Sequence, residues 1–146
     1  MSSAQHVGIW VQGDEQVGFG HLVRMQVLAR ALERSRARVS FFTTRGSLAV
    51  RVLRRAGFGV RTIPRGTRSQ QARALAVFVR QARIAPLAID LPTALSLAIV
   101  RTLRSSDAAL ILIDDLGSAR RAVDLTLNAI DHQVHTLQER AQITER

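Results

Sequence analysis

Cysteine, lysine and tyrosine are absent from the 146-residue sequence, and only five Phe and one Trp supply aromatic rings. Without cysteine the chain has no disulfide framework and no thiolate metal site, which is typical of proteins from a reducing compartment. The longest apolar runs, such as Ala108 to Ile113, are far shorter than the roughly 20 residues of a transmembrane helix. The first residues also lack the basic and apolar segments of a secretory signal. We therefore expect a cytoplasmic protein with no membrane partner.

Because lysine is absent, all 21 cationic side chains are arginine, and the formal net charge is +10. Two explanations are open. Either a genomic composition bias replaces lysine by arginine, or a basic surface attracts phosphates, which guanidinium forks bind in bidentate fashion. The arginines extend from Arg24 to Arg146 without a continuous block, and few aromatic side chains are present to stack on bases. This distribution disfavours a nucleic-acid partner.

The length corresponds to about one domain, in which short apolar strands alternate with amphipathic helices. The predicted strands are Val7–Val11, Val39–Thr43, Val60–Ile63, Leu87–Asp90, Ala109–Ile113 and Asp124–Asn128. The predicted helices are His21–Arg34, Leu48–Ala56, one from the loop Arg65–Ser69 to about Arg83, and one from a Thr93 cap to about Arg104. Strands joined by helical crossovers form parallel sheets. We therefore predict a doubly wound α/β fold, with a mostly parallel sheet and helices on both faces.

We assign residues 1–130 to this Rossmann-like domain and residues 131–146 to a polar tail. Ligands of open parallel sheets collect beyond the carboxyl ends of the strands. Four segments of the sequence follow predicted strands and are expected to converge at that edge, namely 14–21, 43–46, 90–93 and 114–117.

The segment Asp14–Arg24 contains the richest pattern, in which Gly18 and Gly20 precede His21 at the start of a predicted helix. Glycines allow the backbone to approach a ligand, and the helix start presents free N–H groups. The positive end of the helix dipole favours an uncharged imidazole, which is able to act as a general base. A histidine that merely packs against or caps the helix start is the simpler alternative, and both interpretations remain open.

Asp90, Asp114 and Asp115 follow predicted strands, where carboxylates either orient a substrate or act as turn and cap residues. Neither role is excluded by the sequence. His132 and His135 are three residues apart, but only Asp131 lies close to them, so a metal site is not expected. The third glycine of a dinucleotide-binding loop is replaced by Val23, and no cofactor is predicted.

The run Gly18-Phe-Gly-His21-Leu-Val-Arg24, followed by Val27–Leu32, resembles the opening of the nucleotide-sugar hydrolases of pseudaminic acid biosynthesis and of related spore-coat polysaccharide proteins. Ile113–Gly117 and Asp124–Asn128 are similar to later landmarks of that family, in the same order. The resemblance implies one lobe of a GT-B enzyme, in which two Rossmann-like lobes face each other across a cleft. It further implies a second lobe from another chain or from a C-terminal segment, with residues 131–146 as the start of an interlobe connection.

In such enzymes a histidine activates water to cleave UDP from a 2,4-diacetamido-trideoxy sugar, and the resemblance gives that catalytic role to His21. The residues expected to bind the substrate are Asp14, Gly18, Gly20, Arg24, Asp90, Asp114 and Asp115. Two alternatives to a UDP-sugar hydrolase are retained. One is a glycosyltransferase lobe with the same fold and base, and the other is a non-catalytic basic module. A homodimer formed through the exposed cleft wall is also compatible with the sequence.

Overall fold

The computed structural model describes residues 4–14, 18–115 and 117–128. The polar tail, His132, His135 and the expected domain boundary near residue 130 therefore lie outside the described residues. The strands are β1 His6–Val11, β2 Arg38–Thr44, β3 Gly59–Ile63, β4 Leu87–Asp90, β5 Leu110–Ile113 and β6 Leu125–Leu127. The helices are α1 Gly20–Arg34, α2 Leu48–Arg55, α3 Arg68–Gln81 and α4 Leu97–Arg104, followed by a 3₁₀ helix at Ser118–Ala122.

These elements build one six-stranded sheet with the order β3-β2-β1-β4-β5-β6, and every pair of neighbouring strands is parallel. The chain first moves outward from β1 to β3, then crosses back and continues on the other side of β1 from β4 to β6. The direction therefore reverses between β1 and β4, where Val11 lies beside Asp90. A crevice opens at such a reversal in doubly wound sheets, beyond the carboxyl ends of the strands.

Two apolar layers cover the two faces of the sheet. On one face, α1 and α2 bury Leu22 and Leu53 against Ile9 and Phe41. On the other face, α3 and α4 pack around Trp10, Phe42 and neighbouring residues. Because β1 is buried on both faces, its sequence is continuously apolar rather than alternating. The predicted doubly wound α/β architecture is confirmed.

Local sequence explains the start of α3 and the end of α2. Thr67 and Gln70 form a reciprocal capping box at the start of α3. Gly57 has a φ of +84° directly after α2 and its capping residue Ala56, as its predicted position at the end of that helix requires.

The predicted cap of α4 is wrong. The helix begins at Leu97, and its capping residue is Ser96, whose hydroxyl accepts a hydrogen bond from the Ile99 N–H. The backbone N–H of Leu95 instead donates to the Asp115 carboxylate at 2.8 Å. This long-range bond holds the segment before Ser96 outside the helix, so Thr93 does not cap it.

Candidate functional site

A histidine–aspartate pair occupies the crevice between β1 and β4. His21 lies in the first turn of α1, and Asp90 is the last residue of β4. The His21 Nδ1 is 2.6 Å from Asp90 Oδ1. The Asp90 side chain is completely buried, whereas 24% of the His21 side chain is exposed. The pair therefore joins a fixed carboxylate to an imidazole that solvent still reaches.

The hydrogen bonds determine which ring nitrogen of His21 is available for chemistry. His21 Nδ1 contacts both Asp90 Oδ1, at 2.6 Å, and Arg24 Nη2, at 3.1 Å. We assign the proton to Nδ1 because its shorter contact is to a carboxylate oxygen, which accepts hydrogen bonds. In the neutral imidazole the other nitrogen, Nε2, then has a free lone pair. This is the arrangement in which a carboxylate orients a histidine as a general base.

Arg24 connects this pair to the next strand. It follows His21 by three residues and so lies on the same side of α1. Its Nε donates to Asp90 Oδ2 at 2.5 Å, its Nη2 donates to Asp90 Oδ1, and its Nη1 donates to Asp114 Oδ2. The hydrogen bond to Asp90, more than any other contact, raises the pKa of the Arg24 guanidinium, which therefore stays charged. One arginine thus ties α1 to the ends of β4 and β5.

Asp114 and Asp115 have different environments although they are adjacent. Asp114 has a left-handed φ of +53°, and its backbone N–H donates to the Leu127 carbonyl at 2.8 Å, which turns its side chain to Arg24. Asp115 accepts hydrogen bonds from the backbone N–H groups of Leu95 and Gly117, each at 2.8 Å. Asp115 therefore organises two loops around the site. Its expected contact with substrate stays a prediction.

Two glycines lie at the start of α1, just before His21. Gly18 has a φ of +82°, and among the described residues no atom lies within 4 Å of a Cβ built at Gly18 or Gly20. The capping residue of α1 is Phe19, whose side chain accepts no hydrogen bond. Helix starts of this kind bind anions through their backbone N–H groups. Asp14 lies earlier in the chain, four residues before Gly18. Its backbone carbonyl accepts a hydrogen bond from the Gly18 N–H at 2.9 Å.

A pocket of about 620 Å³ lies beside this cluster, at the carboxyl ends of β1, β2 and β3. Its lining includes Asp14 and residues 43–46 but does not include His21, Arg24, Asp90 or Asp114. Of the segments expected to converge at this edge, Asp14 and residues 43–46 therefore line the pocket, whereas His21, Asp90 and Asp114 belong to the neighbouring cluster. Of the three pocket arginines, Arg45 lies in the segment 43–46 that was expected at this edge, whereas sequence reasoning missed Arg51 and Arg65. The available signal was that β2 and β3 are both followed closely by an Arg-Gly pair.

The described residues contain no group of three or more His, Asp or Glu side chains arranged to hold a metal ion. Within the same residues, no helix is both long enough and apolar enough to cross a bilayer.

Solved structures resemble this chain in fold. MurG of Acinetobacter baumannii superposes with a TM-score of 0.66 and 14% identity over 86% of this chain and 41% of MurG. LpCGTa, solved in complex with UDP, gives a TM-score of 0.50 and 14% identity over 76% of this chain and 30% of its own. No protein-family model and no curated protein matches the sequence. The likeness confirms the expected fold, a single Rossmann-like lobe of the GT-B type, and the chain spans less than half of either structure.

Proposed function

We propose that the chain is one lobe of an enzyme that processes a nucleotide sugar, and that His21 is its general base. The observation that carries this proposal is the 2.6 Å contact between His21 Nδ1 and the buried carboxylate of Asp90 at the crevice of the sheet. Two further points support it. The fold is shared with LpCGTa, whose structure contains UDP, and the Gly18–Arg24 run resembles the sugar-nucleotide hydrolases described above.

In the proposed reaction, His21 Nε2 removes a proton from water while the water oxygen attacks the anomeric carbon of the sugar. The bond between that carbon and the diphosphate oxygen breaks, and its electron pair leaves with UDP. Asp90 stabilises the imidazolium that forms, because its carboxylate is held in place before the proton moves. The open start of α1 offers partial positive charge to the developing negative charge.

Arg24 and Asp114 have a positioning role in this proposal. The guanidinium occupies both oxygens of Asp90 and is itself held by Asp114. Rotation of the Asp90 carboxylate would break these bonds, so the direction of the His21 ring is set by α1, β4 and β5 together. The remaining exposure of His21 is the surface at which a reactant meets the base.

A glycosyltransferase lobe is the second candidate, and its support is the fold shared with LpCGTa in its UDP complex. The same base would then deprotonate an acceptor hydroxyl instead of water. The hydrolase proposal specifies a UDP-2,4-diacetamido-trideoxy-hexose and a place in surface polysaccharide or nonulosonic acid synthesis. Both candidates need a second lobe to close the crevice, supplied by another segment, another chain or a second copy of this chain.

The test compares His21→Gln with the parent in the complete two-lobe assembly, using UDP release from UDP-sugars as the readout. Loss of a general base typically lowers the rate by about 10²–10⁴-fold. His6→Gln is the matched control, because His6 lies at the amino end of β1 and its bonds run to Ser40 and the Ala82 carbonyl. Activity of His21→Gln within a few-fold of the parent would overturn the proposal. Free sugar formed without an acceptor identifies a hydrolase, whereas acceptor-dependent UDP release identifies a transferase.

A further inference from the structure

The pocket beside the His21 cluster has walls from three parts of the chain. Arg45 follows β2, Arg51 is on α2, and Arg65 follows β3. All three side chains are in exposed residues that line one concave space of about 620 Å³. Pockets of roughly 300–1,000 Å³ are the usual size for small-molecule ligands. The space is thus large enough for a small molecule, and three of the residues that line it are arginines.

The charges of this pocket are not compensated within the described part of the chain. Arg45, Arg51 and Arg65 form none of the ion pairs found among residues 4–14, 18–115 and 117–128. Asp14 is the single carboxylate in the described lining. Like charges converging on one space repel one another, and an anion from solution removes that cost.

A further cation, the Arg68 guanidinium, lies next to two residues that line the pocket, Gln12 and Gln71. The Arg68 guanidinium lies 5.3 Å from the centre of the Trp10 ring and donates to Gln12, a lining residue, at 3.3 Å. Its partners are the neutral oxygens of Gln12 and Gln71, and burial lowers the pKa of the Arg68 side chain. A partly desolvated cation therefore lies beside these two lining residues, and no described carboxylate lies next to it.

The uncharged polar side chains that line the pocket already have hydrogen-bond partners in the chain. Gln12 and Gln71 both donate to the Thr44 hydroxyl, at 3.3 Å and 3.1 Å. The side-chain oxygens of Thr43 and Ser47 lie 3.4 Å apart. These amides and hydroxyls therefore interact with one another, whereas the guanidinium groups of Arg45, Arg51 and Arg65 have no carboxylate partner among the described residues. This selects a negatively charged ligand.

One of the forks is held in place by the backbone. The Arg65 Nε donates to the Arg45 carbonyl at 3.1 Å. Its Nη2 would lie only 2.8 Å from a Cβ at position 46, so the glycine there makes room for the guanidinium. The φ of Gly46 is +74°, a second reason for glycine at this position. The loop after β2 is thus shaped around the arginine that follows β3.

We propose that this pocket binds a phosphate-bearing small molecule, with Arg45, Arg51 and Arg65 as its ligands. Phosphate has enough oxygens to receive several guanidinium forks at once, whereas a single carboxylate has two oxygens. The site is separate from the His21 cluster and does not depend on the function proposed for that cluster. It uses the β1–β3 half of the sheet edge, which the proposed reaction leaves unoccupied.

The experiment measures binding of inorganic pyrophosphate to the 146-residue chain by isothermal titration calorimetry at fixed ionic strength. The variants Arg51→Gln and Arg65→Gln are each expected to weaken binding about tenfold or more, since each removes a charge-assisted contact. Arg73→Gln and Arg101→Gln are the controls, because both exposed arginines lie outside the pocket and change the net charge equally. The control variants should bind within about twofold of the parent.

Two results would show that the pocket is not an anion-binding site. One is the absence of pyrophosphate binding at millimolar concentration, and the other is equal weakening in the pocket and control variants, which would indicate general charge attraction. Malonate is the carboxylate probe, and binding as tight as that of pyrophosphate would reject phosphate selectivity. The measurement involves no turnover of a nucleotide sugar, so its outcome is independent of the general-base proposal. Thermal unfolding confirms that each variant is folded.

Discussion

At the carboxyl edge of the sheet, the charged side chains around β4 and β5 are paired with one another, whereas the arginines around β2 and β3 are not paired among the described residues. Around β4 and β5, Arg24 is shared by Asp90 and Asp114, and Asp90 also accepts from His21. Around β2 and β3, Arg45, Arg51 and Arg65 form no ion pair within the described residues. The paired half uses its charges to hold one nitrogen of one histidine in a fixed direction. The half around β2 and β3 is unpaired among the described residues, and the anion site proposed above rests on this difference.

This contrast separates two uses of the same residue type. Internal ion pairs with several hydrogen bonds fix geometry, but their mutual satisfaction leaves little affinity for a further anion. Unpaired guanidinium groups at an open pocket lack such internal restraint and attract anions instead. Substitutions in the paired half should therefore alter stability and reaction rate, whereas substitutions in the unpaired half should alter ligand affinity.

Asp90→Asn should produce the largest loss of stability. The substitution leaves Arg24 without its main partner and presents an amide N–H to groups that are themselves donors. Removing one member of a buried ion pair typically costs about 3–5 kcal/mol. Chemical denaturation measures the free energy of unfolding, and Asp107→Asn, at an exposed turn residue, is the control. A loss below about 1 kcal/mol would show that the paired half does not depend on this carboxylate.

Gly18→Ala should lower the free energy of unfolding by a smaller amount. Gly20→Ala is the matched control. A left-handed φ of +82° costs a residue with a Cβ roughly 1–2 kcal/mol, although the space around the position is open. Gly20→Ala meets the same open space without a left-handed φ and begins a helix, so it should be nearly neutral. The two free energies of unfolding are compared directly. Equal values would contradict the proposed conformational role of Gly18 in presenting α1.

The pH dependence contributed by His6 should be the smallest effect, and it arises at the opposite edge of the sheet. Burial lowers the pKa of the His6 imidazole below its ordinary value of 6.5, mainly through desolvation. The unfolded chain therefore binds more protons than the folded chain once the pH falls below 6.5. The contribution is favourable above that pH and is lost as the pH falls from 6.5 through the lowered pKa.

Thermal or chemical unfolding between pH 7.5 and pH 5 tests this sign, with His6→Gln as the variant that lacks the titrating group. The parent should lose more stability than His6→Gln on acidification. If the two proteins lose stability in parallel, the pH dependence comes from other groups, and His6 has no part in it.

Much of the paired half could be predicted because parallel strands end at a common edge. The continuous apolar pattern of β5 and the turn after β4 placed Asp90 and Asp114 beyond neighbouring strands, and the glycine run placed His21 at a helix start. These positions follow from the main chain. The function of the residues as a site stays a prediction, since their proximity does not by itself establish catalysis.

Side-chain pairing could not be predicted in the same way. The resemblance singled out Arg24, but its two carboxylate partners emerge only in the folded chain, where its side chain extends from α1 to the ends of β4 and β5. The contact of Asp115 with the segment before α4 is a long-range hydrogen bond from the Leu95 N–H, which the sequence did not indicate. Segment 43–46, which contains Arg45, was expected at this edge, but Arg51 and Arg65 were missed because they are separated from it in sequence and share no periodicity with it.

Hydrophobic spacing and turn residues alone were sufficient to predict the doubly wound sheet. Burial of the apolar faces and the geometry of the crossovers allow few other arrangements of such strands and helices. The same spacing and turn residues were also sufficient to bring the candidate residues to one edge. Which arginines are neutralised and which remain open to solvent was decided only when distant segments packed together. Charge compensation is a property of distances between side chains, and those distances exist only in the folded chain.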